Sequence, residues 1–369
     1  MEIKKDMLYN SACFHFYGVN IYHKNMLKKI KNIVNKELYA FSREMDRLYR
    51  LNRISPFLSK SIKNFITRKG KRIRPLLFII GYLGFAKKPA PGLYRSSLSI
   101  ELLHVFLLIH DDIIDKSDTR RGGPSMHKML NNYLSRFKNI KFQGQDLSIV
   151  VGDILYAMAI DAFLSIKENP AHKELGLKKF LRAAMYTGGG EFIELLLGAK
   201  DIEKITKQEI YRIYYFKTAF YSFISPLSIG AALAGAPQKE IDMISEYGHA
   251  LGTAFQIKDD ILGMFGEENK IGKSPLVDLQ EAKKTILIWR AYKDSGPKDK
   301  CMIKNIMSKA GITGSDLSKI RFIVKKSGAL DFAENEISIL TKKAYALIAS
   351  SGMLPKYKDL LCAYFKKIY

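Results

Sequence analysis

Apolar residues fall at Met26, Leu27, Ile30, Ile33, Val34, Leu38, Phe41, Met45 and Leu48. That rhythm of threes and fours lays one apolar stripe along a helix. The same period predicts helices over about 57–67, 73–86, 96–116, 147–168, 176–198, 207–234, 238–264 and 280–293, with shorter ones filling the last 70 residues. Nowhere does a sustained period of two coincide with β-branched enrichment, so a sheet is not expected. Breaks are expected where Gly and Pro cluster, at 87–92, 120–125, 187–191 and in the SGPKD and GITGSD stretches. No long linker divides the chain. The prediction is an all-α protein, a single large bundle of mostly antiparallel helices around a central apolar cavity. Residues 1–23, aromatic-rich and aperiodic, read as an N-terminal extension of a domain spanning 24–369. Residues 129–146, polar and basic, read as an insertion or loop.

Composition supports a packed core, since 47% of the 369 residues are hydrophobic. The net charge of +24 points to anionic partners such as phosphorylated small molecules. It also predicts peripheral contact with anionic membrane. Nucleic acid is not expected as a partner, because the basic residues fall inside other motifs. Cys13, Cys301 and Cys362 are scattered, with neither metal-binding spacing nor a disulfide framework. With no secretory signal evident, the expected compartment is the cytoplasm. The longest apolar stretches, Leu76–Ala86 and Leu102–Ile109, read as too short to span a bilayer.

The chemistry concentrates in two acidic turns. HDDIID places Asp111, Asp112 and Asp115 in one helical turn, and KDDILG places Asp259 and Asp260 far downstream. Each pair follows apolar helical sequence and reads as the end of a buried helix. Like charges at this spacing oppose helix formation, and buried carboxylates require counter-charge. Mg2+ fits, because it takes few carboxylates and leaves positions for phosphate oxygens. Cations flank both turns: Lys71, Arg72 and Arg74 at a helix start, Arg120 and Arg121, Lys217 inside YYFKTAFYSF, and Lys273, Lys283 and Lys284. Guanidinium forks and lysine ammoniums are the usual grips on phosphate. Arg72 and Lys284 read as solvated, and His110 reads as core. The chain carries no nucleotide-binding Gly-rich loop, HExxH or GxSxG.

GKRIRP, ELLHVFLLIHDDIIDKSDTRRG, VGDILYAMA, FKTAFYSF, FQIKDDILGMFG and EAKKT occur in that order. Together they resemble the trans-isoprenyl diphosphate synthase (polyprenyl synthetase) family over roughly residues 26–350, with a likeness to archaeal-type geranylgeranyl diphosphate synthases. The resemblance implies a homodimer that condenses isopentenyl diphosphate head-to-tail with an allylic diphosphate (dimethylallyl, geranyl or farnesyl). The products implied are mainly geranylgeranyl diphosphate and pyrophosphate. By the same resemblance, Asp111, Asp112, Asp115, Asp259 and Asp260 would bind Mg2+ and act with Lys217 in catalysis. Lys71, Arg74, His104 and Arg121 would bind isopentenyl diphosphate. Arg120, Lys217, Thr218, Gln256, Lys273 and Lys283 would grip the allylic diphosphate. Phe106, five residues before Asp111, would floor the chain cavity, with the non-aromatic Leu107 beside it. Aromatics such as Phe255 are available to face an allylic cation, though core packing is the commoner reason for any single ring. Two departures from the family pattern stand out. Gly263 replaces the last Asp of the second motif, and GGGE at 188–191 replaces a usual Gly-Gln, so Glu191 receives no role. A farnesyl or longer-chain synthase, a terpene cyclase and a non-catalytic synthase subunit are the competing readings.

Overall fold

The computed structural model describes residues 19–266, 277–309 and 311–368. The chain runs through α1 (Val19–Tyr49), α2 (Leu51–Ile54), α3 (Pro56–Thr67), α4 (Ile73–Leu83), α5 (Leu93–Ile114), α6 (Met126–Leu134), α7 (Gly144–Leu164) and α8 (Pro170–Gly198). It continues through α9 (Lys207–Ile213), a π-helical stretch Tyr214–Ile224, α10 (Ser225–Leu233) and α11 (Gln238–Phe265). The last elements are α12 (Val277–Gln280), α13 (Ile286–Asp294), α14 (Pro297–Met307), α15 (Gly314–Lys326), α16 (Ala329–Ser350) and α17 (Pro355–Ile368). The starts are chemically marked. Ser55 caps α3 ahead of Pro56, Asn169 caps α8 ahead of Pro170, and Thr206 with Glu209 forms a capping box on α9.

The predicted all-helical architecture is observed, with local corrections. A two-residue antiparallel pair, Thr119–Arg120 with Gly123–Pro124, forms a small hairpin after α5. Its central residues Arg121 and Gly122 both have positive φ (52° and 74°), as a tight primed turn requires. The 129–146 stretch is not all loop, since α6 extends to Leu134 and α7 begins at Gly144. The TGGGE cluster does not break α8, which continues to Gly198. Gly190 serves close approach instead: a Cβ there would meet the backbone N of Lys217 at 2.7 Å. The helix expected from 280 starts at Ile286, and α16, within the region expected to hold short helices, spans 22 residues. Asp259 and Asp260 do not end their helix, because α11 continues to Phe265.

Two apolar clusters organise the bundle. The larger joins α1, α3–α5, α7 and α10 with the first half of α11, around Phe78, Leu103, Ile109, Phe163, Phe223 and Tyr247. The smaller joins the end of α11 to α13, α15 and the start of α16, around Ile257, Ile286, Ile320 and Val324. Helix α5 fully buries Leu98, Ile100, Leu102, Leu103, Val105 and Ile109. At about 1.5–3 kcal/mol for each such side chain, this helix is a rigid support for the acidic turn at its end. Helix α7 is long and apolar enough to cross a membrane by length and composition, which the sequence reading missed. In the fold it packs along α5 and buries Val151, Leu155, Met158, Ala159 and Ala162.

Candidate active site

The first acidic turn ends α5 and is enclosed by cations. Asp112 is fully buried, and its Oδ1 accepts from Arg120 Nε at 2.6 Å. Arg120 Nη2 also approaches Asp111 Oδ2 at 3.4 Å. Lys217 Nζ lies 3.6 Å from Asp111, 2.7 Å from Glu191 and in contact with Glu194. Lys283 Nζ lies 3.9 Å from Asp115 and 2.6 Å from Glu281. Burial pushes the Asp112 carboxyl up to about 6, with Arg120 opposing the rise. Burial, reinforced by the neighbouring charge of Asp111 and opposed by Lys283, pushes Asp115 up to about 7. Burial works to lower the Lys217 ammonium, but the carboxylates of Glu194, Asp111 and Glu191 outweigh it and push it up.

Among the described residues, a phenol and an amide donate to the second turn. Asp260 is buried, and its oxygens accept from Tyr214 Oη and, at 2.9 Å, from Gln256 Nε2. Tyr214 Oη in turn accepts from the backbone N of Ile286 at 2.8 Å, tying this turn to the start of α13. Asp259 is exposed on the next position. The π-helical stretch connects the two turns. Lys217 reaches Asp111, and its neighbour Thr218 donates to Gln256 Oε1 at 2.6 Å, whose amide reaches Asp260. An i→i+5 stretch is rare and concentrates at functional sites.

The basic wall lies beside the first turn. Arg74 Nη2 donates to Tyr221 Oη at 2.6 Å and Ser222 Oγ at 2.7 Å, and the guanidinium stacks on the Tyr221 ring at 4.3 Å. His104 Nδ1 is 3.3 Å from the same Tyr221 hydroxyl. Burial, joined by Arg74 and Arg121, holds the His104 imidazole well below its ordinary value and therefore neutral. Arg121 pairs with Glu101 at 3.2 Å. Lys71 is exposed just ahead of α4. Phe106 and Leu107 are partly buried, with the Phe106 ring 5.3 Å from Tyr156 of α7 and 4.6 Å from His110. Lys273 lies outside the described residues.

Two side chains read as solvated are not. Arg72 is buried against Glu101, and the half-buried Lys284 donates to Gly198 O at 2.8 Å. Sequence reasoning also missed Glu191 and Glu194, because the preceding glycines read as a break. Their spacing of three within an apolar helical run was the available signal. Oxygens of Asp111, Asp115 and Glu191 lie within 4.8 Å of one another. An all-carboxylate donor set of this size suits a hard, oxygen-seeking divalent cation.

Residues 55–324 match the polyprenyl synthetase family model. The chain is 30% identical over 317 residues to the geranylgeranyl diphosphate synthase of Sulfolobus acidocaldarius, covering 85% of this chain and 88% of that protein. It is 29% identical over 312 residues to the short chain isoprenyl diphosphate synthase of Methanocaldococcus jannaschii, covering 84% and 85%. Among solved structures it is similar to a Corynebacterium glutamicum geranylgeranyl pyrophosphate synthase complexed with isoprenyl diphosphate and magnesium. That likeness has a TM-score of 0.82 and 26% identity, covering 93% of this chain and 97% of the other. The fold, the paired acidic turns and these likenesses agree, and the chain belongs to the polyprenyl synthetase family.

Proposed function

We propose that this protein condenses isopentenyl diphosphate head-to-tail with an allylic diphosphate, giving mainly geranylgeranyl diphosphate and pyrophosphate. The observation that carries the proposal is the juxtaposition at one mouth of a carboxylate wall and two sets of cations. Lys217 and Lys283 touch the carboxylates, and Arg74 and Arg121 stand apart, with the neutral His104 alongside, on the basic wall. Two separate sets of cations suit two separate diphosphates.

In this reading Asp111, Asp112, Asp115, Asp259 and Asp260 hold Mg2+, with Glu191 alongside. When bound, the metal supplies Lewis-acid neutralisation of the leaving diphosphate. Arg120, Lys217, Thr218, Gln256, Lys273 and Lys283 grip the allylic diphosphate and stabilise the charge that develops as its C–O bond breaks. Lys71, Arg74, His104 and Arg121 hold isopentenyl diphosphate so that its double bond faces the allylic carbon. The neutral imidazole of His104 serves as a hydrogen-bonding group. The new C–C bond forms, a proton leaves, and the departing diphosphate accepts it, so no enzymic nucleophile is required. Apolar walls exclude water from the intermediate cation. Phe106, with Leu107 beside it, limits the chain near twenty carbons.

The protein acts as a homodimer in this reading. Ile149 and Val150 on α7 and Met185, Phe192, Leu195 and Leu196 on α8 are exposed apolar side chains available to a second copy. The excess positive charge gives peripheral, salt-sensitive contact with anionic membrane. The deciding experiment incubates the protein with Mg2+, isopentenyl diphosphate and farnesyl diphosphate and separates the products. A twenty-carbon prenyl diphosphate is expected. Cyclic hydrocarbons, or no product at all, overturn the assignment.

A further inference from the structure

Glu101 is a carboxylate in the middle of α5, 2% exposed. A buried charge of this kind is costly unless paired. Its pairing is unusual, because one oxygen, Oε1, receives two guanidiniums: Nη1 of Arg72 and, at 3.2 Å, Nη2 of Arg121. Both arginines have left-handed backbones, with φ of 55° and 52°. For residues other than glycine that conformation costs about 1 kcal/mol or more each and persists where the surroundings dictate it. Gly70 lies alongside both side chains, close enough that a Cβ there would make ordinary van der Waals contact with each. A Cβ there would lie 3.4 Å from Arg72 Nη1 and 3.5 Å from Arg121 Cζ.

The two guests are held differently. Arg72 also donates to Asn35 Oδ1 at 3.1 Å and to the carbonyls of Arg68 at 2.6 Å and Ile66 at 3.3 Å. Among the described residues, Glu101 is the carboxylate that holds Arg121. The hairpin backbone has its own support, because Arg68 donates to Arg120 O at 3.1 Å and Pro124 O at 2.7 Å. Arg120 has Asp112. Loss of the Glu101 charge therefore frees the Arg121 side chain while leaving the hairpin, Arg120 and the first acidic turn in place. Arg72 is the fixed cation of the trio, and Glu101 relays its position to Arg121.

We propose that Glu101 is a positioning residue for isopentenyl diphosphate, acting through Arg121. It fixes the Arg121 guanidinium beside Arg74 and His104 without touching substrate. The proposal rests on the reading of Arg74, His104 and Arg121 as the isopentenyl site. A misplacement of about 1 Å in a binding group can cost roughly a hundredfold in rate.

The test is Glu101→Gln and Glu101→Asp in the full chain, with folding checked by thermal melting. KM is measured separately for isopentenyl and farnesyl diphosphate. For Gln, which keeps the size and removes the charge, KM for isopentenyl diphosphate is expected to rise about 10- to 100-fold, with the farnesyl value within about twofold. Asp, which keeps the charge but retracts it by one methylene, is expected to fall between wild type and Gln. It decides the matter if Gln does not fold. A merely structural role lowers the active fraction and leaves both KM values unchanged, and that result overturns the proposal, as does an equal rise in both. If the wild-type protein turns over neither substrate, the functional reading itself fails and this inference with it. If wild type is active and both variants keep its isopentenyl KM, the Glu101 proposal alone falls.

Discussion

The two acidic turns look alike in sequence, HDDIID and KDDILG, yet the described side chains that reach them differ. Around Asp111, Asp112 and Asp115 stand Arg120, Lys217 and Lys283. Around Asp260 stand a phenol and an amide, Tyr214 and Gln256. The first turn sits at the end of α5, and the second lies six residues inside the end of α11. A carboxylate held by full charges already has its field balanced, so a divalent cation arriving there must rearrange neighbouring ions. Neutral donors orient a carboxylate without cancelling its charge. The same dipeptide thus meets guanidinium and ammonium groups in one place and a phenol and an amide in the other, and the packing partner sets which donors reach it.

The largest expected effect asks whether both turns act in the reaction. Asp111→Ala and Asp259→Ala are each expected to lower turnover by about a hundredfold or more at saturating Mg2+, the scale for removing one preorganised charge-stabilising group. Both proteins are expected to melt near the wild-type temperature, because neither side chain is buried. Near-normal turnover in Asp259→Ala with a large loss in Asp111→Ala would reduce the pair to a single working turn.

A second test uses the titration of the first turn. In metal-free protein the Asp112 and Asp115 carboxyls are raised to about 6 and about 7 from an ordinary value near 3.8, burial being the main cause. Between those values and about pH 4 the unfolded chain has released protons that the folded protein still holds. Folding is then opposed as pH rises, and stability falls from about pH 4 to about pH 7 before levelling. Asp115→Asn removes its share, on the order of 4 kcal/mol at pH 8. Melting curves in EDTA at pH 5 and pH 8 should show the variant gaining most at pH 8. Equal gains at both values would show that the Asp115 carboxyl is not raised.

These partners explain which parts of the molecule were legible in the sequence. The helices were readable because apolar side chains at threes and fours, as in 26–48, are dictated by local geometry alone. The acidic turns were readable because three carboxylates in one turn oppose the helix that carries them. Glu191 and Glu194 were not, because GGGE mimics a break. Only the approach of the α8 backbone to Lys217, at Gly190, shows why glycine is there. Glu101 was hidden for the reverse reason. A single acid in ELLHVF does not disturb the period, and its partners come from residues 29 positions earlier and 20 later. The hairpin at 119–124 escaped because two paired residues on each side carry no periodicity.

The third test is milder and probes the Tyr214 hydrogen bond to the second turn. Tyr214→Phe removes the donor to Asp260 and leaves the Ile286 N–H without its acceptor. The expected loss is about 1–3 kcal/mol of stability, the cost of an unsatisfied buried group. Turnover should fall less than in Asp259→Ala, since Gln256 still reaches Asp260. Hydrogen exchange at Ile286, faster than in wild type, would locate the damage at the start of α13. Unchanged exchange there would break the link drawn between Tyr214 and this turn.

The smallest effect on rate concerns the aromatic rings below the two turns. Phe106 lies five residues before Asp111, and Phe255 lies five before Asp260, so each is roughly 7–8 Å down its helix from its acidic turn. Their neighbours differ. Phe106 meets Tyr156 and His110, partly buried on the side of α5 that faces α7. Phe255 meets Phe223, itself 6.1 Å from Phe365, and so leans on the solid core. If the prenyl chain descends along α5, shortening Phe106 opens its path, whereas shortening Phe255 mainly leaves a void in packing. Phe106→Ser is expected to keep the first condensation within about threefold of wild type, because the ring touches none of the charged groups at the mouth, and to shift products beyond twenty carbons. Phe255→Leu, at a partly buried site, should cost about 1–2 kcal/mol of stability while leaving product length unchanged. Chromatography of the chain-length distribution reads both. Lengthening by Phe255→Leu with none by Phe106→Ser would move the floor of the cavity from the helix of the first turn to that of the second.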